Sequence, residues 1–86
     1  MAVTGWILVQ TEVGKARVVA DTVAALQRPG VRVMASDTVT GPHDVIVHLE
    51  APDLDALNRA VEEALQKVPG VEHTITCVTM FHGSSG

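Results

Sequence analysis

The 86 residues can form one domain with a single modest core, and a hydrophobic content of 47% excludes a disordered chain. A formal net charge of −4 without any cluster of Lys or Arg excludes the basic stripe that direct DNA or RNA binding requires. The single cysteine, Cys77, cannot staple the fold, and the N-terminus has neither a cationic signal region nor a membrane-length apolar run. A soluble, reducing, cytoplasmic setting is therefore expected.

Residues 3–10 are β-branched and apolar and predict a first strand, with residues 11–14 turning the chain. From Lys15 onward, apolar residues recur at Ala16, Val19, Val23 and Leu26, the spacing of one helical face, until Pro29-Gly30 stops the helix. Residues 31–40 predict a second strand, Gly41-Pro42 a turn, and residues 45–50 a third strand. Asp53 is a good N-cap for a second helix whose stripe is Leu54, Leu57, Val61, Leu65 and Val68, with Glu63 and Lys67 four apart on the wet side. Pro69-Gly70 ends that helix, and residues 71–81 predict a last strand. The same strand–helix–strand order thus occurs twice, joined at Thr40-Gly41-Pro42-His43-Asp44, which predicts an α+β fold with both helices on one side of a single sheet. The domain is placed at residues 1–82, and residues 83–86 (Gly-Ser-Ser-Gly) are expected to be a flexible tail.

Alternation sorts the strands into two faces. Val33, Ala35, Val39, Val45, Val47, Leu49, Ile75 and Cys77 form an aliphatic set suited to the helices, which makes Cys77 an expected buried, inert thiol. Met34, Ser36, Thr38, Ile46, His48, Thr74, Thr76, Val78 and Met80 form the opposite, mixed set. Two helices cannot cover both faces, so a second copy of the chain is the expected cover for the mixed one.

Chemistry concentrates at the joint. Gly41 allows a ligand to approach main-chain groups, Pro42 stiffens the turn, and Asp44 brings a carboxylate to the start of the third strand. Such a pairing of donors and acceptors suits an amino acid, although the same residues also suit a plain β-turn with Asp44 bonding backbone. His43, His48, His73 and His82 have no metal-ligand spacing, no phosphate loop or catalytic constellation occurs, and two aromatic residues (Trp6 and Phe81) are poor material for stacking a cofactor. No cofactor, metal or catalytic residue is expected.

The run Thr40-Gly41-Pro42-His43-Asp44, an apolar strand, Leu54-x-x-Leu57-Asn58, Pro69-Gly70-Val71 and Thr74-x-Thr76 together resemble the Lrp/AsnC family over residues 3–81. The likeness is to that family's C-terminal effector-binding and assembly domain, the RAM domain, in its stand-alone form without a helix-turn-helix. Met1 lying so near the first strand is the reason for expecting a complete gene product.

The resemblance implies a ferredoxin-like βαββαβ fold with an antiparallel four-stranded sheet that dimerises into an α+β barrel. It implies assembly of dimers into octamers or rings, amino-acid effectors at dimer–dimer contacts, and co-assembly with full-length regulators. By the same likeness Thr40, Gly41, Pro42, His43 and Asp44 are the effector loop, with Thr74 and Thr76 near the same cleft. Pro42-His43 stands where the family often has an Asp-aromatic pair. Two alternatives remain at this level: a small monooxygenase-like dimeric α+β barrel enzyme built around His48, and an ACT-like regulatory domain binding its ligand near Gly14.

Overall fold

Alternating buried and exposed positions organise the chain into a four-stranded antiparallel sheet of order β2-β3-β1-β4, in a computed structural model that describes residues 2–83. The elements are β1 (Val3–Thr11), α1 (Ala16–Ala24), β2 (Arg32–Thr38), β3 (Val45–Ala51), α2 (Leu54–Glu63) followed by a 3₁₀ turn (Leu65–Lys67), and β4 (Val71–Val78). This is the ferredoxin-like βαββαβ arrangement. Of the expected 83–86 tail, residues 84–86 lie outside the described residues. Among the described residues, no helix is long and apolar enough to cross a membrane.

The core lies between the helices and one face of the sheet. Ile7 and Val9 of β1, Val45, Val47 and Leu49 of β3, Val19 and Val23 of α1, and Leu57 of α2 are all fully buried there. Gly5 continues this row, because a side chain at that position would meet the Leu57 side chain at 3.0 Å. Asp53 caps α2 as expected, accepting the Ala56 N–H at 2.7 Å.

The two halves share their stop signal. In each, the residue before Pro-Gly accepts a hydrogen bond from the residue after it: Val31 N–H to Arg28 O and Val71 N–H to Val68 O, both 3.1 Å. Gly70 has φ +100°, and a Cβ there would sit 3.1 Å from Lys15 Cβ and Val19 Cγ2, so glycine is required both for its backbone and for close approach to α1. Both helices end earlier than their apolar stripes. Helix α1 stops at Ala24, before Leu26, and α2 gives way to the 3₁₀ turn that buries Leu65. Glu63 is consequently the last residue of α2, and it pairs with Arg28 rather than with Lys67.

Two strands face the other way from their expected phase. On β2 a bulge between Val33 and Ala35 resets the alternation. Ser36 and Thr38 therefore lie opposite the buried Val47 and Val45, and Ser36 Oγ donates to Ala20 O of α1 at 2.8 Å. Ala35 is turned to the open face, opposite His48. On β4, Thr74, Thr76 and Val78 pair with Val9, Ile7 and Gly5, and so face the helices. Ile75 and Cys77 pair with Leu8 and Trp6 on the open face, which corrects the expected buried thiol: Cys77 is exposed. The polar Thr74 is accommodated on the covered side because its Oγ1 accepts a hydrogen bond from Gln66 Nε2 at 2.9 Å.

The open face is consequently organised in rows across the sheet. Ala35, His48, Trp6 and Cys77 form one row, and Asp37, Ile46, Leu8 and Ile75 the next. Trp6 and His48 stack flat on each other, with centroids 3.8 Å apart and planes within 3°.

Candidate functional site

Residues 39–44 close the β2–β3 hairpin at one end of the sheet. Val39 N–H donates to Asp44 O at 2.9 Å, and Asp44 N–H donates to Val9 O at 3.0 Å, so the turn is tied to the neighbouring strand β1 as well as to itself. The Asp44 side chain adds a second tie. Its Oδ2 accepts the Thr11 N–H at 2.9 Å and lies 3.4 Å from the Thr11 hydroxyl. Thr11 is the last inward-facing position of β1, only 8% exposed, so the carboxylate holds a nearly buried strand end in register with the turn.

With Asp44 turned inward, the rest of the turn faces an open hollow of about 420 Å³. Leu8 and Ile46, a cross-strand pair on the open face, lie at one side of it, with Val39, Thr40, Gly41, Pro42 and His43 completing the lining. Gly41 has φ +145°, and the space where a Cβ would stand is empty, so the backbone conformation rather than crowding selects glycine here. Among the described residues, the N–H groups of Thr40, Gly41 and His43 donate no hydrogen bond, and Pro42 has none to give.

The structure thus brings Thr40, Gly41, Pro42 and His43 together around one hollow and sets Asp44 behind it as a strut. Thr74 and Thr76 are not part of this group, because they lie on the helix-covered side of the sheet. Sequence reasoning did not identify Leu8 and Val39 as lining residues or Thr11 as the partner of Asp44. The signal for Thr11 was present in the alternation Ile7, Val9, Thr11, which places a polar residue on an otherwise apolar face.

Elsewhere, an apolar cavity of about 60 Å³ lies among Leu26, Val31, Val33, Leu49, Ala60 and Leu65, and a polar cleft of about 310 Å³ among Arg28, Asp53, Asp55 and Arg59. The cleft's charges have nearby partners, Arg59 with Asp55 at 3.2 Å and Arg28 with Glu63. That pairing holds the Glu63 carboxyl below its ordinary range, through the hydrogen bond and then the charge of Arg28. His48 lines none of these three hollows, Gly14 has open space around it, and no group of three metal-ligating side chains occurs among the described residues.

Comparison with known proteins fits this geometry. The family model of the Lrp/AsnC ligand binding domain matches residues 4–82. No curated protein sequence matches the chain. Among solved structures, hypothetical protein PHS023 from Pyrococcus horikoshii is 30% identical with a TM-score of 0.77, the match covering 95% of this chain and 93% of that one. AsnC of E. coli is 14% identical with a TM-score of 0.84, and the match covers 98% of this chain but 54% of AsnC. The transcriptional regulator NMB0573 from Neisseria meningitidis, solved as a complex with L-Met, is 20% identical with a TM-score of 0.70, over 96% of this chain and 55% of that one. The last two share the fold, and this chain spans about half their length. With the family model matched over nearly its whole length, the chain belongs to the Lrp/AsnC family, as a ligand-binding domain of that family.

Proposed function

We propose that the chain is a non-catalytic module that binds a small amino-acid effector and assembles with further copies of itself. The effector occupies the hollow bounded by Thr40, Gly41, Pro42 and His43, and Asp44 keeps that turn in place from behind. The observation that carries this reading is the hollow itself, which combines an apolar wall, a glycine-containing rim and main-chain donors without partners among the described residues. NMB0573, a relative of the same fold, is known in complex with L-Met, which supports an amino acid as the class of ligand.

Assembly follows from the uncovered side of the sheet. Trp6, Leu8, Ile46, Ile75 and Cys77 face outward there, and a second copy is the simplest cover for so apolar a surface. An effector bound at the margin of that face shifts assembly by its differential affinity for two association states. Assembly into octamers or rings, and co-assembly with full-length regulators, extend the same surface logic.

Titration calorimetry against the common amino acids, run in parallel with light scattering, tests both parts. The expected result is heat with at least one amino acid and a change in particle size on binding. Silence in both measurements reduces the chain to a structural role, and a folded lone subunit at nanomolar dilution removes the assembly.

A further inference from the structure

At the end of the sheet opposite the Gly41 turn, where β2 starts and β3 finishes, two hollows share a wall. The apolar cavity of about 60 Å³ and the polar cleft of about 310 Å³ are both lined by Arg28 and Val31. Together they make an amphipathic groove, with the buried Leu49, Ala60 and Leu65 at its inner end and charged groups at its mouth. The sequence opens the cavity in two ways. Helix α1 stops at Ala24, so Leu26 leaves the helical stripe and lines the gap before β2. Ala60 and Ala64, four residues apart, present only methyl groups where a longer side chain would fill the space. With one water-sized group needing about 10–15 Å³ of such volume, the cavity takes about four.

The mouth is unequal in what it has left to offer. Its acids are spent within the chain: Asp53 accepts the Ala56 N–H at 2.7 Å, and Asp55 pairs with Arg59. Its guanidiniums are not, since each carries five N–H donors. Among the described residues Arg28 donates one hydrogen bond, to Glu63, and Arg59 meets Asp55 only as an ion pair at 3.2 Å. Unspent donors call for an acceptor, and the planar guanidinium fork matches a carboxylate best.

We propose that this groove is a further ligand site, for a short-chain aliphatic carboxylate: a tail of about four carbons fills the apolar cavity, and the carboxylate lies against Arg28, with Arg59 adding charge from the cleft. The ligand replaces Glu63 as the partner of Arg28, at little cost because that pair is exposed. The groove lies on the helix-covered side, away from both the Gly41 turn and the open face, so the site does not depend on the effector reading above.

The test is a ¹⁵N amide-shift titration of the chain with isovalerate, acetate and isovaleramide. Isovalerate is expected to bind about tenfold or more tighter than acetate, which lacks the tail, and than isovaleramide, which lacks the charge. The largest shifts are expected at Gln27, Arg28, Val31 and Ala64. Ala64→Leu, at a half-buried position, fills the cavity from within and should weaken isovalerate about tenfold while leaving Tm no lower. Arg28→Gln should remove the preference for isovalerate over isovaleramide. Acetate or isovaleramide matching isovalerate, undiminished binding in Ala64→Leu, shifts centred on Gly41 and His43, or no binding of isovalerate at all each overturns the proposal. None of these outcomes touches the amino-acid reading of the Gly41 hollow, which calorimetry with amino acids tests separately.

Discussion

On the helix-covered side of the sheet, Ile7, Val9, Val45, Val47 and Leu49 are fully buried, whereas on the other side Trp6 and Ile75 remain 44% and 51% exposed. Both sets lie on the same strands and obey the same period of two. The covered face is completed by α1 and α2, which the chain supplies itself. The open face is equally continuous in register but has no intramolecular cover, and it ends at the turn whose hollow is the candidate ligand site. What separates the faces is therefore whether the chain itself supplies their packing partners. A truncation on the covered face leaves a void in a finished core, and one on the open face removes surface still in contact with water.

That contrast sets the largest expected effect. Leu49→Ala should lower unfolding free energy by about 2–5 kcal/mol, the range for emptying a closed core site. Ile75→Ala, on the opposite side of the same sheet, should cost the isolated subunit less than about 1 kcal/mol. If copies associate through this face as proposed, its consequence should appear instead as a weaker dependence of Tm on protein concentration. Urea unfolding of both variants over a range of concentrations checks this, and equal costs at high dilution would abolish the distinction between the faces.

Asp44 provides a sharper comparison because it bridges the two regions, with its backbone in the hollow's turn and its carboxylate on an inward-facing strand end. Asp44→Ala leaves the Thr11 N–H without its acceptor and should cost about 1–3 kcal/mol. Asp44→Asn keeps an acceptor oxygen and should recover part of that loss. Chemical denaturation of the pair measures the difference, and identical stabilities would show that the strut contributes nothing. Further from the hollow, Asp53→Ala removes only the cap of α2 and should cost about 1 kcal/mol, read from the shift of the urea midpoint.

Legibility in the sequence followed the same division. The order of elements was readable because Pro29-Gly30, Pro69-Gly70 and Gly41-Pro42 punctuate it with residues whose backbone preferences are local. The capping role of Asp53 was readable for the same reason. The facing of β2 and β4 was not. On β2 a single bulged position at Met34 inverts every side chain after it, and nothing in the local composition marks the bulge. On β4 the more apolar residues, Ile75 and Cys77, point outward, while Thr74 finds its partner in Gln66 eight residues earlier. Tertiary pairing decided against hydropathy there. At the candidate site the turn itself was legible, but its far wall was not, because Leu8 and Ile46 meet only through the β1–β3 register.

The smallest expected effect lies at the exposed ion pair between Arg28 and Glu63, which joins the α1–β2 connection to the last residue of α2. Both side chains are substantially exposed, so the pair contributes little at neutral pH and less in high salt. Its signature is the pH dependence. The folded state holds the Glu63 carboxyl below the ordinary carboxylate value, so the unfolded chain takes up the proton first as pH falls. The pair's contribution is fully present above the unfolded value and is lost as pH drops through the lower folded one. Glu63→Gln should therefore leave stability near pH 7 almost unchanged and flatten the acid limb of the stability profile between those two values. Melting curves collected across that acid range, at low and high salt, check the flattening, and an unchanged slope would show that the contact exerts no electrostatic effect in solution.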